Sequence, residues 1–120
     1  MRVLVFGGRT LDHNKVTEHL RFLLGDGASV ECIIEGEATG ADTGAALYAE
    51  ECQIPLVAFP ADWSRYGKAA GHIRNKQMID EGKPDYAIAF PGGKGTANMV
   101  KQLMGKNIPV HFVKENINGI

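Results

Sequence analysis

Cysteine is scarce in this chain. Only Cys32 and Cys52 occur among 120 residues, and they do not form a C-x-x-C pair. That excludes the common zinc and thioredoxin-like motifs, and two thiols in apolar surroundings read as reduced, buried side chains. Long hydrophobic runs are missing too. Val3-Leu4-Val5-Phe6 is too short for a membrane span or a secretory leader, so the expected compartment is the cytoplasm and no membrane partner is expected. Neither sign of charge dominates. Thirteen Lys and Arg against fourteen Asp and Glu leave a formal net charge of −1, which argues against a protein that coats nucleic acid through bulk charge. A platform of interleaved aromatic and basic residues for single strands is also lacking. His13, His19 and His111 show no metal-ligand spacing, no serine sits on a nucleophile elbow, and no metal or other cofactor is expected. With no repeat, linker or low-complexity tract, residues 1–120 read as a single domain with one core.

Glycine, with 15 residues, is what the chain has in quantity. Apolar runs at Arg2–Phe6, Val30–Ile34, Ile54–Phe59, Tyr86–Phe90 and Val110–Val113 read as strands. Helical spacing separates them: Val16, Leu20, Leu23 and Leu24 behind an Asp12 N-cap and ahead of Gly25; Ala45 to Cys52; Gly71 to Glu81; and Ala97 to Met104. Ala61 to Ala70 is longer than the usual strand-to-helix connection and reads as a functional loop, and the tail from Lys114 to Ile120 reads as frayed. Five strands alternating with four helices predict an α/β three-layer sandwich with a parallel sheet. Right-handed crossovers and one reversal give the order 3-2-1-4-5.

Ligands in such sheets bind at the carboxyl ends of the strands, where the order reverses. Three glycine-rich loops meet there: Gly7-Gly8-Arg9 after strand 1, Gly36 to Asp42 after strand 2, and Pro91-Gly92-Gly93-Lys94-Gly95-Thr96 after strand 4. Glycines let backbone N–H groups approach a phosphate, and the following helix dipole favours the negative charge. Arg9, Lys94 and Arg74 lie in or beside these loops, while Arg65, Lys68 and Lys76 are cations of the long loop or solvated surface charges. Cations gathered at one crevice of a near-neutral protein suit a small anionic ligand, most simply a nucleotide phosphate. Trp63 and Tyr66 are flat side chains that either cover a base or ribose or anchor their loop. Asp42 reads as an N-cap or as an acceptor for a ribose hydroxyl, Glu37 as a similar acceptor, and Thr39 and Thr96 as phosphate-binding hydroxyls. His72 reads as a hydrogen-bonding or titrating group. The first turn is not G-x-G-x-x-G, and Gly93-Lys94-Gly95-Thr96 lacks the Walker spacing.

Gly7-Gly8-Arg9, Gly36-x-Ala38-Thr39-Gly40-Ala41-Asp42, the Trp63…Gly67…Ala70-Gly71…Arg74-Asn75…Met78 segment and Phe90-Pro91-Gly92-Gly93-x-Gly95-Thr96 together resemble the YspA-like branch of the SLOG superfamily. Those four motifs cover nearly the whole chain. The resemblance implies a Rossmann-like fold and kinship with lonely-guy phosphoribohydrolases, DprA/Smf proteins and nucleotide-sensing SLOG domains. By that resemblance, Pro91 to Thr96 is similar to the enzymes' Pro-Gly-Gly-x-Gly-Thr-x-x-Glu motif, and His72-x-Arg74-Asn75 to their arginine segment. The glutamate of that motif is Met99 here, preceded by Asn98. Methionine neither stabilises the cationic ribose of a breaking N-glycosidic bond nor moves a proton.

The resulting expectation is a binding module. A nucleotide, or a nucleotide-derived signal of the ADP-ribose kind, would lie against Gly7, Gly8, Arg9, Gly36, Thr39, Gly40, Asp42, Trp63, Arg74, Asn75 and the Pro91–Thr96 loop. The alternative is an N-glycosidase of nucleoside 5′-monophosphates, with Arg74 and a carboxylate relocated to Glu37 or Asp42. A nucleic-acid role by analogy with DprA is disfavoured by charge, and the apolar helix positions allow a homodimer.

Overall fold

The computed structural model describes residues 1–114; the tail expected to fray, Lys114 to Ile120, lies outside the described residues except for Lys114. The elements are β1 (Arg2–Phe6), α1 (His13–Leu24), β2 (Cys32–Glu35), α2 (Ala41–Glu51), β3 (Leu56–Ala58), α3 (Trp63–Tyr66), a 3-10 turn (Gly67–Ala69), α4 (Ala70–Asp80), β4 (Tyr86–Ala89), α5 (Lys94–Gly105) and β5 (Val110–Phe112). All neighbouring strands pair in parallel, in the order β3-β2-β1-β4-β5, as the alternation of strands and helices predicts.

Period-two alternation along the central strands sends side chains to two separate cores. Val3 and Val5 of β1, Ile33 of β2 and Ile88 of β4 pack with Val16, Leu20, Ala45 and Tyr48 of α1 and α2. Leu4, Phe6, Ile34, Ala87 and Ala89 pack with Met78, Ile79, Met99 and Leu103 of α4 and α5. Both faces of the sheet are therefore covered, which is why the central strands read as continuous apolar runs. The edge strands β3 and β5 are three residues each and hold no fully buried residue. Asp12 caps α1 by accepting from Asn14 N at 2.9 Å, and Gly25, at φ 61°, ends that helix, both as expected. Among the described residues no helix is long and apolar enough to cross a membrane.

The segment Ala61–Ala70 is not an open loop. Asp62 accepts from Arg65 N at 3.1 Å and starts the single turn of α3, which runs through the 3-10 turn directly into α4. It buries no side chain, so it carries no apolar periodicity to reveal it. Helices α2 and α5 begin at Ala41 and Lys94, a turn earlier than their apolar spacing suggests. Glycines in a first turn do not break a helix whose remaining turns are packed. β2 starts two residues later than its apolar run, at Cys32, and extends one further, to Glu35.

Candidate functional site

β1 and β4 are adjacent at the centre of the sheet, and the chain leaves β1 for α1 on one face and β4 for α5 on the other. The loops splay apart there, and a cavity of about 350 Å³ opens between them, within the range of small-molecule sites. Its wall brings together Gly7, Gly8 and Arg9 after β1, Ala38 and Asp42 after β2, Trp63 and Lys68 of the α3 segment, Gly71, His72, Arg74 and Asn75 of α4, and Gly93, Lys94, Gly95 and Thr96 at the start of α5. Phe6, Met78 and Met99 supply the apolar part of the lining.

Gly36, Glu37, Thr39, Gly40, Pro91 and Gly92 are not in that wall, and all but Glu37 hold the three loops to one another or to Arg74. Gly8 N donates to Pro91 O at 2.8 Å, Ala41 N donates to Gly8 O at 3.1 Å, and the Thr39 hydroxyl donates to Arg9 O at 2.8 Å. A Cβ on Gly92 would come within 2.8 Å of Gly8 N, and Gly40, at φ 72°, lies against the Gly8 carbonyl. The β1 loop is thus clasped between the other two, and these contacts leave no room for side chains. Gly93 and Gly95 differ: a Cβ there would meet nothing within 4 Å. No side chain caps α5. Its first intrahelical bond runs from Ala97 N to Gly93 O at 3.0 Å, so the N–H groups of Lys94, Gly95 and Thr96 precede the helical ladder beside the cavity.

A buried polar cluster lies partly in this wall, with Asp42, Arg74 and Asn75, and partly behind it, with Glu35. Glu35, Asp42 and Asn75 are 2 %, 6 % and 5 % exposed. Asp42 is not the N-cap of α2, a position held by Gly40. Its Oδ2 instead accepts from Gly36 N at 3.1 Å and Ala38 N at 3.2 Å, closing the second loop on itself. Glu35 accepts from Glu37 N. The Arg74 guanidinium donates from Nη1 to Gly36 O at 2.5 Å and from Nε to Asn75 Oδ1 at 3.2 Å. Burial pushes the Glu35 carboxyl up to about 7, offset in part by its hydrogen bond from Glu37 N. Burial raises Asp42 as well, against the pull of the Ala38 N–H and the Arg74 charge. Burial lowers the pKa of Arg74, while Asp42 and Glu35 favour its charge.

At the mouth, the Arg9 guanidinium sits 5.3 Å from the centroid of the half-exposed Trp63 ring, a cation–π contact joining the β1 loop to α3. Tyr66 faces Arg65 instead, and Lys76 pairs with Asp80; Arg65, Tyr66 and Lys76 are not in the wall.

A family model described as the YspA, cpYpsA-related SLOG family matches residues 1–66. Gene 61 protein of Mycobacterium phage D29 is 32 % identical over 117 residues, covering 91 % of this chain and 93 % of the phage protein. The chain belongs to the YspA, cpYpsA-related SLOG family. Membership of this SLOG family points to nucleotide-related binding or processing, and the family-matched segment contains the first two of the three loops.

Two features of this SLOG protein's crevice are absent from the sequence-based set. Glu35 reads as the first residue of a turn, yet it is the last residue of β2 and almost wholly buried. Its position directly after buried Ile33 and Ile34 is the one available hint. Phe6 and Met78 read as strand and helix residues, and Met99 as the residue at the glutamate position of the resembled motif; none reads as lining, because the lining is continuous with the core under α4 and α5.

Proposed function

We propose that this SLOG protein binds a nucleotide or nucleotide-derived signal, a nucleoside monophosphate or a molecule of the ADP-ribose kind, and senses, carries or sequesters it. The observation that carries this reading is the uncapped start of α5, which borders a cavity whose wall also holds Arg9, Lys68 and Lys94. Backbone N–H groups, the positive end of the helix dipole and nearby cations suit a phosphate there. Trp63 offers a flat face for a base, and Asp42 a carboxylate for a ribose hydroxyl. Met99, 1 % exposed and packed among apolar side chains, supplies no charge or proton to a glycosidic bond. Isothermal titration with AMP, ADP-ribose and cyclic ADP-ribose isomers tests the reading; saturable binding of at least one is expected, and no binding at millimolar ligand would sink it.

One observation favours a second reading, an N-glycosidase of nucleoside 5′-monophosphates. Asp42 lines the cavity, and Glu35, at about 7, lies behind it in the range suited to moving a proton at neutral pH. Asp42 would then stabilise the cationic ribose. Incubation with nucleoside 5′-monophosphates decides: release of free base that is lost in Asp42→Asn supports cleavage, and intact nucleotide supports binding alone.

A further inference from the structure

Asn75 is a buried carboxamide placed between two walls of the crevice, and each of its polar atoms is used. Its Oδ1 accepts from Arg74 Nε at 3.2 Å. Its Nδ2 donates to Gly95 O at 3.2 Å and to Asn98 Oδ1 at 3.1 Å. The orientation of the amide is forced by its partners, since a guanidinium has no acceptor and a carbonyl has no hydrogen. Asn98 Oδ1 is in turn held by Gln102 Nε2 at 2.8 Å, which anchors the network to the next turn of α5. Aspartate at this position would lose both donors, and an apolar side chain would leave the Gly95 carbonyl and the arginine without their bridge.

We propose that Asn75 is a positioning residue for the anion site: it ties Arg74 to the first turn of α5, so that guanidinium and helix N-terminus act on one phosphoryl group. This rests on the nucleotide reading of the crevice. Arg74 is a long side chain on α4, and the α5 turn belongs to a different element. Without a link, each would have to be ordered separately when an anion binds. The guanidinium is gripped at Nη1 by Gly36 O and at Nε by Asn75, two bonds that leave its Nη2 uncommitted to either grip. A ligand phosphate then meets a preset pair of donors rather than two independent ones.

The test is a double-mutant cycle on the full chain, read by isothermal titration with AMP and with ADP-ribose. The variants are Asn75→Ala, Arg74→Lys and both together. Arg74→Lys keeps a cation but lacks the Nε–H that Asn75 accepts. Asn75→Ala is expected to weaken binding on the order of tenfold in the wild-type background and to cause little further loss in the Arg74→Lys background. An equal loss in both backgrounds, the result of a merely structural role, would overturn the proposal. Should Asn75→Ala fail to fold, Asn98→Ala serves, because it removes one α5 acceptor from Asn75 at a partly exposed helical position where alanine is well tolerated. It is expected to weaken AMP severalfold in the wild type and not in Arg74→Lys. Unchanged affinity in the wild type, or the same loss in both, would contradict the proposal. A wild-type protein that binds neither probe removes the nucleotide reading together with this one; a wild-type protein that binds with an additive cycle removes only the role of Asn75.

Discussion

Glu35 shows how much of this site depends on burying charge. Its carboxyl sits at the end of β2 with Arg74, Asp42 and Glu37 as its charged neighbours, and burial raises it from 4.5 to about 7. The fold therefore favours the neutral acid. Its contribution to stability is full below about pH 4.5 and is lost as pH rises through about 7. Glu35→Gln mimics the neutral acid and keeps an acceptor for Glu37 N. Thermal melts are expected to place the variant level with the wild type near pH 4.5 and above it by about 2 kcal/mol near pH 8. A difference that does not vary with pH would remove the buried-acid account. Trp63 gives a second prediction at this scale. Half exposed and packed on Arg9 rather than in the core, it is expected to add little to folding stability. Trp63→Ala should leave the melting temperature nearly unchanged and weaken AMP by about 1 kcal/mol, with no effect on inorganic phosphate. Equal losses for both ligands would show that Trp63 does not meet the base. The sequence made Trp63 visible as a flat side chain in the long connection between a strand and a helix. It could not show Glu35, because a carboxylate at a strand end looks the same whether water or protein surrounds it.

At the scale of elements, the glycines divide into two kinds with opposite consequences. Gly40, at φ 72° and against the Gly8 carbonyl, holds a loop, so Gly40→Ala should cost about 2 kcal/mol or more of stability whatever ligand is present. Gly95 lies in the first turn of α5 with open space around its Cβ position. Gly95→Ala should raise stability by roughly 0.5–1 kcal/mol, as alanine does in a helix, yet weaken nucleotide binding if the proposed phosphate approaches this turn, because the new methyl group would stand in its path. Denaturant melts and titrations on the same two variants separate the effects; a Gly95→Ala protein with wild-type affinity would show that the α5 turn does not meet the ligand. Strands β1 and β4 were legible to within a residue because both faces of the sheet are buried and their apolar runs are unbroken. The edge strands read longer in the sequence than they are, since Ile54 and Val113 are buried yet lie outside β3 and β5. The α3 segment was illegible as helix, because a single capped turn with no buried side chain has no pattern to read.

For the whole molecule, the order of the strands was the decisive inference. Sequence alternation and handedness lead to 3-2-1-4-5, and that order alone places the first and fourth loops side by side. The interlocking of the loops could not be read that way, since it depends on which glycine faces which carbonyl. Because the ligand is read as bridging loops from both halves of the sheet, binding should stabilise the entire fold. At a hundred times Kd, a nucleotide is expected to add about 2.7 kcal/mol, seen as a rise of several degrees in Tm, and Arg74→Ala should abolish most of that rise. An undiminished shift in the variant would place the ligand elsewhere. The most direct measurement is a crystal structure of the protein soaked with millimolar AMP. The account predicts phosphate density within hydrogen-bonding distance of the Lys94, Gly95 and Thr96 N–H groups, with Arg74 on the same phosphate; a phosphate bound elsewhere, or a crevice holding only solvent at that concentration, would contradict it.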